Sequence, residues 1–131
     1  MTSAEQKEMA VKLVRALENP KPEEVGPMLT DDFEFQVMAR MAGPTVFKKA
    51  DMLGSFGRML KKSFPNGLNM KIGTVICEGP HVAVQAESDT IVGNGKRYNN
   101  RYHFYVLFHG DQIAQCREYN DSNHAREVFA A

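Results

Sequence analysis

The amino-acid sequence predicts a single α+β domain, and three observations lead to this fold class. Helical periodicity dominates the first half of the chain, whereas period-two alternation dominates the chain from residue 69 onward. The β-rich half is divided at Gly79-Pro80, Gly93-Asn94-Gly95 and Gly110-Asp111, which suit hairpin turns. Helices followed by antiparallel strands indicate α+β rather than alternating α/β structure. The 131 residues are enough for one ordinary domain, and we assign residues 1–131 to it.

Three helices and one short strand are expected in the first half. Apolar residues spaced four apart predict a helix over Ser3–Glu18, with a capping-box pattern at its start. A short second helix is expected from Pro22, because a proline at the first helical position lacks only an N–H that would be unpaired anyway. Alternation from Phe33 to Val37 predicts a half-buried strand. After the Met38–Thr45 connection, an apolar stripe predicts a helix over about Lys48–Ser63.

Four meandering strands and a closing helix are expected in the second half. The strands are predicted over Asn69–Glu78, His81–Val92, Arg97–Phe108 and Gln112–Tyr119. The tail from Ser122 to Phe129 is predicted to form a short helix.

Composition excludes several classes of protein. Sixteen basic and sixteen acidic residues cancel, so the basic excess of a nucleic-acid-binding protein is missing. No apolar run is long enough to cross a bilayer, and the N-terminus lacks a signal core, so we expect no membrane partner and a cytoplasmic location. Cys77 and Cys116 are expected to be free thiols. The four histidines have no metal-ligand spacing, so no metal and no cofactor are predicted.

The last two predicted strands resemble those of a known family. The stretches GKRYNNRYHFYVLF (Gly95–Phe108) and DQIAQCREYND (Asp111–Asp121) are similar to the SnoaL-like branch of the nuclear transport factor 2-like superfamily. The resemblance implies a cone-shaped, curved antiparallel sheet wrapped around the N-terminal helices, a cystatin-like roll with an apolar pocket. Relatives in that branch are often described as ketosteroid isomerase-related or polyketide cyclase-like. The same fold also serves binding and assembly domains.

The catalytic groups of ketosteroid isomerases are missing from the corresponding positions. By the resemblance, the general base of those enzymes falls on Val37, the tyrosine donor on Leu13 and the acidic donor near Phe104. None of these side chains can donate or accept a proton. Steroid isomerisation by that mechanism is therefore not expected.

Two other comparisons place carboxylates at catalytic positions, a pair in one and a single aspartate in the other. By similarity to limonene-epoxide hydrolases, the catalytic acid falls on Glu87, the base on Asp121 and the bridging arginine on Gln85. Phe35 and Val37 replace the residues that hold the water, so epoxide hydrolysis itself is not expected. Asp121 also matches the acid/base aspartate of the polyketide cyclases. The resemblance thus implies Asp121 as base and Glu87 as acid or orienting partner.

Both carboxylates also have structural interpretations. Asp121 stands where an N-cap of the last helix would stand, and Asp is among the best capping residues. In His81–Val92, alternation places Gln85 and Glu87 opposite the valines, which would leave both in solvent. The resemblance instead turns Gln85 and Glu87 toward the cone, and we follow it here. If Glu87 and Asp121 share the pocket, they should titrate as a coupled pair.

The remaining pocket residues are predicted mainly from strand alternation. Asn100, Tyr102 and Phe104 share one face of their strand and are expected to line the cone. Phe35, Val37, Gln85 and Tyr119 complete the predicted substrate-binding set. Arg117 and Glu118 are expected to form cross-strand pairs rather than to contact substrate. The methionines are expected to fill gaps in the core, among them Met28, Met38, Met41, Met52 and Met59.

These features lead to two hypotheses. The first is a cofactor-independent SnoaL-like enzyme of isomerase, cyclase or hydratase/hydrolase type, acting by acid/base catalysis on a small apolar cyclic or polyketide-like molecule. The second is a non-catalytic module for small-molecule binding or dimerisation. A pocket of about 300 Å³ or more that contains the carboxylates would favour the enzyme. A homodimer is expected through the outer face of the sheet, which carries Tyr105 and Leu107.

Overall fold

A six-stranded sheet curves around the N-terminal helix in the computed structural model, which describes residues 1–40 and 43–130. The helices are α1 (Ser3–Ala16), α2 (Pro22–Val25), α3 (Lys49–Met52), α4 (Ser55–Ser63) and α5 (Ser122–Phe129). The strands are β1 (Leu29–Val37), β2 (Val46–Lys48), β3 (Lys71–Glu78), β4 (His81–Glu87), β5 (Thr90–Ile91), β6 (Arg97–Tyr98), β7 (Arg101–His109) and β8 (Gln112–Asn120). The molecule is therefore α+β, as predicted.

The strand order of the large sheet is β2-β1-β8-β7-β4-β3. All neighbours are antiparallel except β1 and β8, which run parallel because the chain crosses the sheet between them. Register shifts interrupt the β3–β4 ladder between Ile72 and Val75, and the β7–β8 ladder between Leu107 and Phe108. Such irregularities bend and twist a sheet locally, which helps this one to curve around α1.

The first helix begins at Ser3, as predicted, but its capping box lies one residue earlier than expected. Thr2 and Glu5, rather than Ser3 and Gln6, form the box. The Glu5 N–H donates to Thr2 Oγ1 at 3.1 Å, and the Thr2 N–H donates to Glu5 Oε1 at 2.9 Å. The apolar stripe of α1 then packs against β3, β4 and β7, and Leu13 and Val14 are fully buried.

The helix predicted over Lys48–Ser63 is divided into α3 and α4. Gly54 interrupts it, with φ −125° and ψ −106°, which no helical residue adopts. The residues before α3 form a strand that the sequence pattern did not predict. In this strand, β2, Phe47 pairs with Phe35 of β1 and stacks on Phe56 at a ring-centroid distance of 4.0 Å.

The two longest predicted strands each break once, where Ser88 and Asn100 lie buried side by side. The Ser88 N–H donates to the Asn100 carbonyl at 3.0 Å, and the Asn100 N–H donates to Ser88 Oγ at 3.1 Å. These contacts replace the regular ladder, so β4 and β7 stay in the large sheet while β5 and β6 form a separate hairpin. The break lies between Tyr98 and Tyr102, which both line a cavity described below.

The core lies between α1 and the concave face of the sheet. Its largest fully buried side chains include Phe33, Phe35 and Phe104. Of the methionines expected in the core, Met28 and Met52 are buried, Met38 and Met59 are exposed, and Met41 lies outside the described residues. Cys116 is buried and Cys77 is partly buried, and both are free thiols. None of the helices in the described ranges is long and apolar enough to span a bilayer.

Candidate functional site

A cavity of about 350 Å³ opens between the concave face of the sheet, α4 and α5, and we call it the inner cavity. Its walls are mostly apolar and aromatic. They include Leu17, Phe35, Val37, Phe56, Leu60, Phe64 and Phe129. The polar groups in the lining are Ser63, Tyr98, Tyr102 and Glu118. A few polar groups converging in an apolar cavity are typical of small-molecule sites.

Glu118 supplies the only carboxylate among the described residues that line the inner cavity. It reaches the cavity because of the register of β8. Glu118 lies opposite Phe104 of β7, and directly opposed residues in a sheet share a face. Phe104 is fully buried on the concave face, so Glu118 must point to the same side. Cys116, two residues earlier, is also buried on this face.

The apolar walls change the acidity of Glu118. Burial raises the pKa of the Glu118 carboxyl from 4.5 to about 7, because the charged form loses its hydration. A hydrogen bond from Asn120 Nδ2 to Glu118 Oε2, 2.8 Å long, acts in the opposite direction by stabilising the anion. Glu118 is therefore close to half-ionised at neutral pH, which suits a group that both accepts and returns a proton.

Two tyrosines, Tyr98 and Tyr102, line the same cavity, and a buried polar network fixes their hydroxyls. Asn100 Nδ2 donates to the Tyr98 hydroxyl oxygen at 2.9 Å, and the Tyr102 and Ser88 hydroxyls lie 3.1 Å apart. Because Asn100 already donates to Tyr98, the Tyr98 proton is free to be donated elsewhere. Burial raises the pKa of both phenols above the ordinary value, so both stay protonated donors at neutral pH.

Aromatic packing holds Tyr98 in place. Its ring lies 5.1 Å from that of Phe129 on α5 and 5.6 Å from that of Phe64 after α4, measured between centroids. On a further side, His124 stacks on Tyr98 at 5.5 Å and an interplanar angle of 10°. Such contacts restrict the ring, so the Tyr98 hydroxyl is held in one position.

The carboxylate predicted as base, Asp121, is not among the residues that line the inner cavity. Its side chain is the N-cap of α5 and accepts the His124 N–H at 3.1 Å. The residue is exposed. The geometry therefore shows Asp121 as a helix cap, which was the alternative to its predicted role as a base.

The expectation that Gln85 and Glu87 face the cone is wrong. Both are exposed on the convex, outer face of the sheet, where they line a separate groove of about 320 Å³. Glu87 Oε1 lies 3.5 Å from Arg101 Nε there. The alternation of β4 decides the outcome, because Val82, Val84 and Ala86 occupy the buried positions. Glu87 and Asp121 thus do not share a pocket, and their expected coupled titration has no geometric basis.

The predicted binding residues divide into three groups. Phe35, Val37 and Tyr102 line the inner cavity, and their contact with a ligand stays a prediction. Asn100 and Phe104 are buried behind the wall, where Phe104 stacks on Tyr102 at 5.4 Å. Tyr119 is 42% exposed and points away from the cavity, because it neighbours the inward-facing Glu118 on β8.

Glu118 and Tyr98 line the inner cavity although the sequence pattern did not predict them as site residues. Glu118 was expected to pair across strands beside Arg117, but the two residues point to opposite faces of β8. Arg117 Nε donates to Gln36 Oε1 at 3.1 Å, and its guanidinium lies over the Tyr105 ring. The register of the Gly110-Asp111 turn does not identify Glu118, because continuing the His109–Gln112 pairing would place Arg117 opposite the buried Phe104. The register shift between Leu107 and Phe108 places Glu118 there instead. Tyr98 gave no signal either, because its position depends on the break at Asn100.

Within residues 1–40 and 43–130, no three His, Cys, Asp or Glu side chains are grouped so that they could hold a metal ion. The absence of a metal and of a cofactor stays a prediction from the sequence. The chemistry open to the inner cavity with its own residues is proton transfer by Glu118 and hydrogen-bond donation by the two phenols.

Comparison with known proteins relates this site to a family. A family model described as the SnoaL-like domain matches residues 10–116. The sequence has no significant match among curated proteins. A crystal structure from Jannaschia sp. CCS1, assigned as a SnoaL-like polyketide cyclase, superimposes with a TM-score of 0.81 at 15% identity, covering 98% of this chain and 94% of that one.

Two further solved structures share the fold. A nuclear transport factor 2-like protein of unknown function from Burkholderia pseudomallei aligns over 100% of both chains, with a TM-score of 0.82 and 14% identity. The second is a protein from Catenulispora acidiphila with a ketosteroid isomerase-like fold, solved in complex with trimethylamine. The alignment covers 86% of this chain and 84% of that one, with a TM-score of 0.70 and 13% identity. At these identities the likeness extends to the fold alone.

Proposed function

The chain belongs to the SnoaL-like domain family, and we propose that it is a cofactor-independent enzyme that moves protons on a small apolar cyclic or polyketide-like molecule. The observation that carries this proposal is Glu118, a carboxyl group with a pKa of about 7 inside an apolar cavity. General acids and bases work best when their pKa lies near the working pH. Glu118 replaces Asp121 and Glu87 as the proposed acid/base group.

The proposed first step is removal of a proton from a carbon next to a carbonyl group. The Glu118 carboxylate accepts this proton, and the carbonyl oxygen becomes the oxygen of an enolate. The Tyr98 hydroxyl, whose oxygen already accepts from Asn100, donates a hydrogen bond to that oxygen as its charge grows. Preorganised donors of this kind are most effective where water is excluded.

The second step decides the type of reaction. If protonated Glu118 returns its proton to a different carbon of the enolate, the product is an isomer of the substrate. If the enolate carbon attacks a second carbonyl of the same molecule, a ring closes and Glu118 protonates the new alkoxide. Both routes regenerate the starting protonation state, and neither uses the positions of the ketosteroid isomerase groups, which are Val37, Leu13 and Phe104 here.

The test is deuterium exchange into a panel of apolar cyclic ketones, such as 2-tetralone, followed by proton NMR. The protein should accelerate exchange next to the carbonyl, and the rate should rise with pH around 7 as Glu118 ionises. Glu118→Gln should lower the rate by about 10²–10⁴-fold. Tyr98→Phe should lower it by about 10²-fold.

Glu87→Gln is the matched control, because it removes a carboxylate from the outer face and should leave the exchange rate unchanged. If the protein and its Glu118→Gln variant exchange every ketone equally, the acid/base proposal fails. Retained binding of the same ketones would then favour the alternative, a non-catalytic binding module with the same cavity.

We further propose that the chain forms a homodimer through the outer face of the sheet. Ile76 of β3, Ala83 of β4 and Tyr105 of β7 are neighbours in adjacent strands and share this face. Ile76 is 61% exposed, the highest value among the exposed large apolar residues in the described ranges. An exposed apolar surface of this kind is a candidate for burial against a second copy.

A further inference from the structure

A second cavity of about 570 Å³ adjoins the inner cavity, and we call it the mouth chamber. Val37 and Phe129 line both cavities, so these two residues form a boundary that the cavities share. Asn120 gives a second connection. It lines the mouth chamber, and its amide donates to Glu118, which lines the inner cavity. A ligand in the mouth chamber would therefore lie close to the proposed acid/base group.

The mouth chamber is positively charged. Two arginines, Arg40 after β1 and Arg126 on α5, line it, and none of its described lining residues is acidic. Across residues 1–40 and 43–130, neither arginine takes part in a salt bridge. Arg126 is partly oriented by a hydrogen bond from its Nη2 to Asn123 Oδ1 at 3.1 Å. The rest of the lining is largely apolar, with Ala39, Ala125 and Phe129.

The contrast between the two cavities indicates a ligand with two unlike ends. The inner cavity is apolar and its charged group is an acid, so it suits a neutral ring or chain. The mouth chamber offers two guanidinium groups, which bind carboxylates with paired N–H donors better than any other side chain does. A molecule that fills both would place its anionic end outside Phe129 and its reacting end near Glu118.

We infer that the substrate carries a carboxylate, which Arg40 and Arg126 bind in the mouth chamber while the apolar part occupies the inner cavity. The ligand class is thus an apolar cyclic or polyketide-like acid. That this ligand is a substrate rests on the proposed function, whereas the anion site depends only on the two arginines and the adjoining cavities.

The test compares two ligands of nearly equal shape, 2-naphthylacetate and the uncharged 2-naphthylacetamide, by isothermal titration calorimetry. The protein should bind the carboxylate about tenfold or more tightly than the amide. Arg126→Gln and Arg40→Gln should each remove most of this preference by weakening carboxylate binding, with amide binding unchanged. Added salt should weaken binding of the carboxylate ligand and leave binding of the amide unchanged.

Arg101→Gln is the matched control, because Arg101 lies on the outer face beside Glu87. It should keep the full preference. Equal affinity for the two ligands, no binding of the carboxylate, or an equal loss in Arg101→Gln would overturn the inference.

The same titration separates this inference from the proposed catalysis. Glu118→Gln should keep the preference for the carboxylate, since Glu118 lies in the inner cavity and not among the arginines. If ketone exchange is absent but the arginine-dependent preference is present, the acid/base proposal fails and the anion site stands. If ketone exchange is present but the preference for the carboxylate is absent, the anion site fails and the acid/base proposal stands.

Discussion

At the scale of single residues, the environment of Glu118 decides its chemistry. An exposed glutamate is fully ionised at neutral pH, but aromatic and aliphatic walls withhold from the partly buried Glu118 some of the water that would stabilise its charge. One amide, that of Asn120, compensates in part at 2.8 Å. The result is a carboxyl group with a pKa of about 7, which the folded protein keeps at the expense of stability.

This cost predicts how stability varies with pH. The pKa of Glu118 is about 7 in the folded chain against 4.5 normally, so the folded state holds the proton more tightly. Its contribution is full below pH 4.5 and is lost as pH rises through 7. Glu118→Gln should therefore gain stability relative to the wild type between pH 5 and pH 8, by at most about 3 kcal/mol.

Urea unfolding of both proteins across this range measures the difference. Glu87→Gln, which alters an exposed ion pair, should change the free energy of unfolding by less than about 1 kcal/mol at any pH. A difference between wild type and Glu118→Gln that is the same at pH 5 and pH 8 would contradict a raised pKa.

At the scale of elements, α5 closes the inner cavity and is held at both ends. Asp121 caps its first turn, and Asn100 Oδ1 accepts the Asp121 N–H at 3.1 Å. At the other end, Asn94 Nδ2 in the β5–β6 turn donates to the Val128 carbonyl at 2.8 Å. These contacts place Phe129 against Tyr98 and Phe64, where it forms the wall shared with the mouth chamber.

The capping role of Asp121 gives a prediction that separates it from catalysis. Asp121→Ala should lower the free energy of unfolding by about 1 kcal/mol, because the His124 N–H loses its acceptor. Asp121→Asn should cost little, since Asn caps equally well. Asp121→Asn should also keep the Glu118-dependent ketone exchange. Loss of exchange in a fully folded Asp121→Asn variant would instead identify Asp121 as the base.

Helices and strands were predicted correctly where a local sequence pattern alone determines the structure. The caps, apolar stripe and alternation of α1, α5 and β8 lie within short segments, and these elements were found with small errors at their ends. Gly54, by contrast, breaks a helix whose apolar stripe continues past it. Ser88 and Asn100 break two strands through contacts 12 residues apart. Such tertiary contacts override local propensity.

At the scale of the whole molecule, the fold was easier to predict than the site. The order of helices and strands already indicates α+β structure, but an inward or outward side chain depends on register. Gln85 and Glu87 were misplaced because the resemblance was followed against the alternation of β4. Glu118 was missed because its orientation follows from pairing with Phe104, a contact between strands.

The same register creates the outer surface on which dimerisation is predicted. Ile76, Ala83 and Tyr105 are neighbours across β3, β4 and β7, and at the edge of this row the His81 ring packs on Tyr105, with His81 Nδ1 2.6 Å from the Tyr105 hydroxyl. Light scattering at micromolar concentration should give twice the 14.7 kDa mass of the chain. Ile76→Glu should shift the protein toward the monomer, because a charge buried between two copies has no partner there.

Ile91→Glu provides the control for this last prediction. Ile91 is also an exposed isoleucine, at 47%, but it lies on the β5–β6 hairpin and not on the outer face of the large sheet. It should leave the mass unchanged. Neither substitution should alter ketone exchange, since neither residue lines the inner cavity. A wild-type mass of 14.7 kDa, or equal dissociation by both variants, would show that this surface does not join two copies.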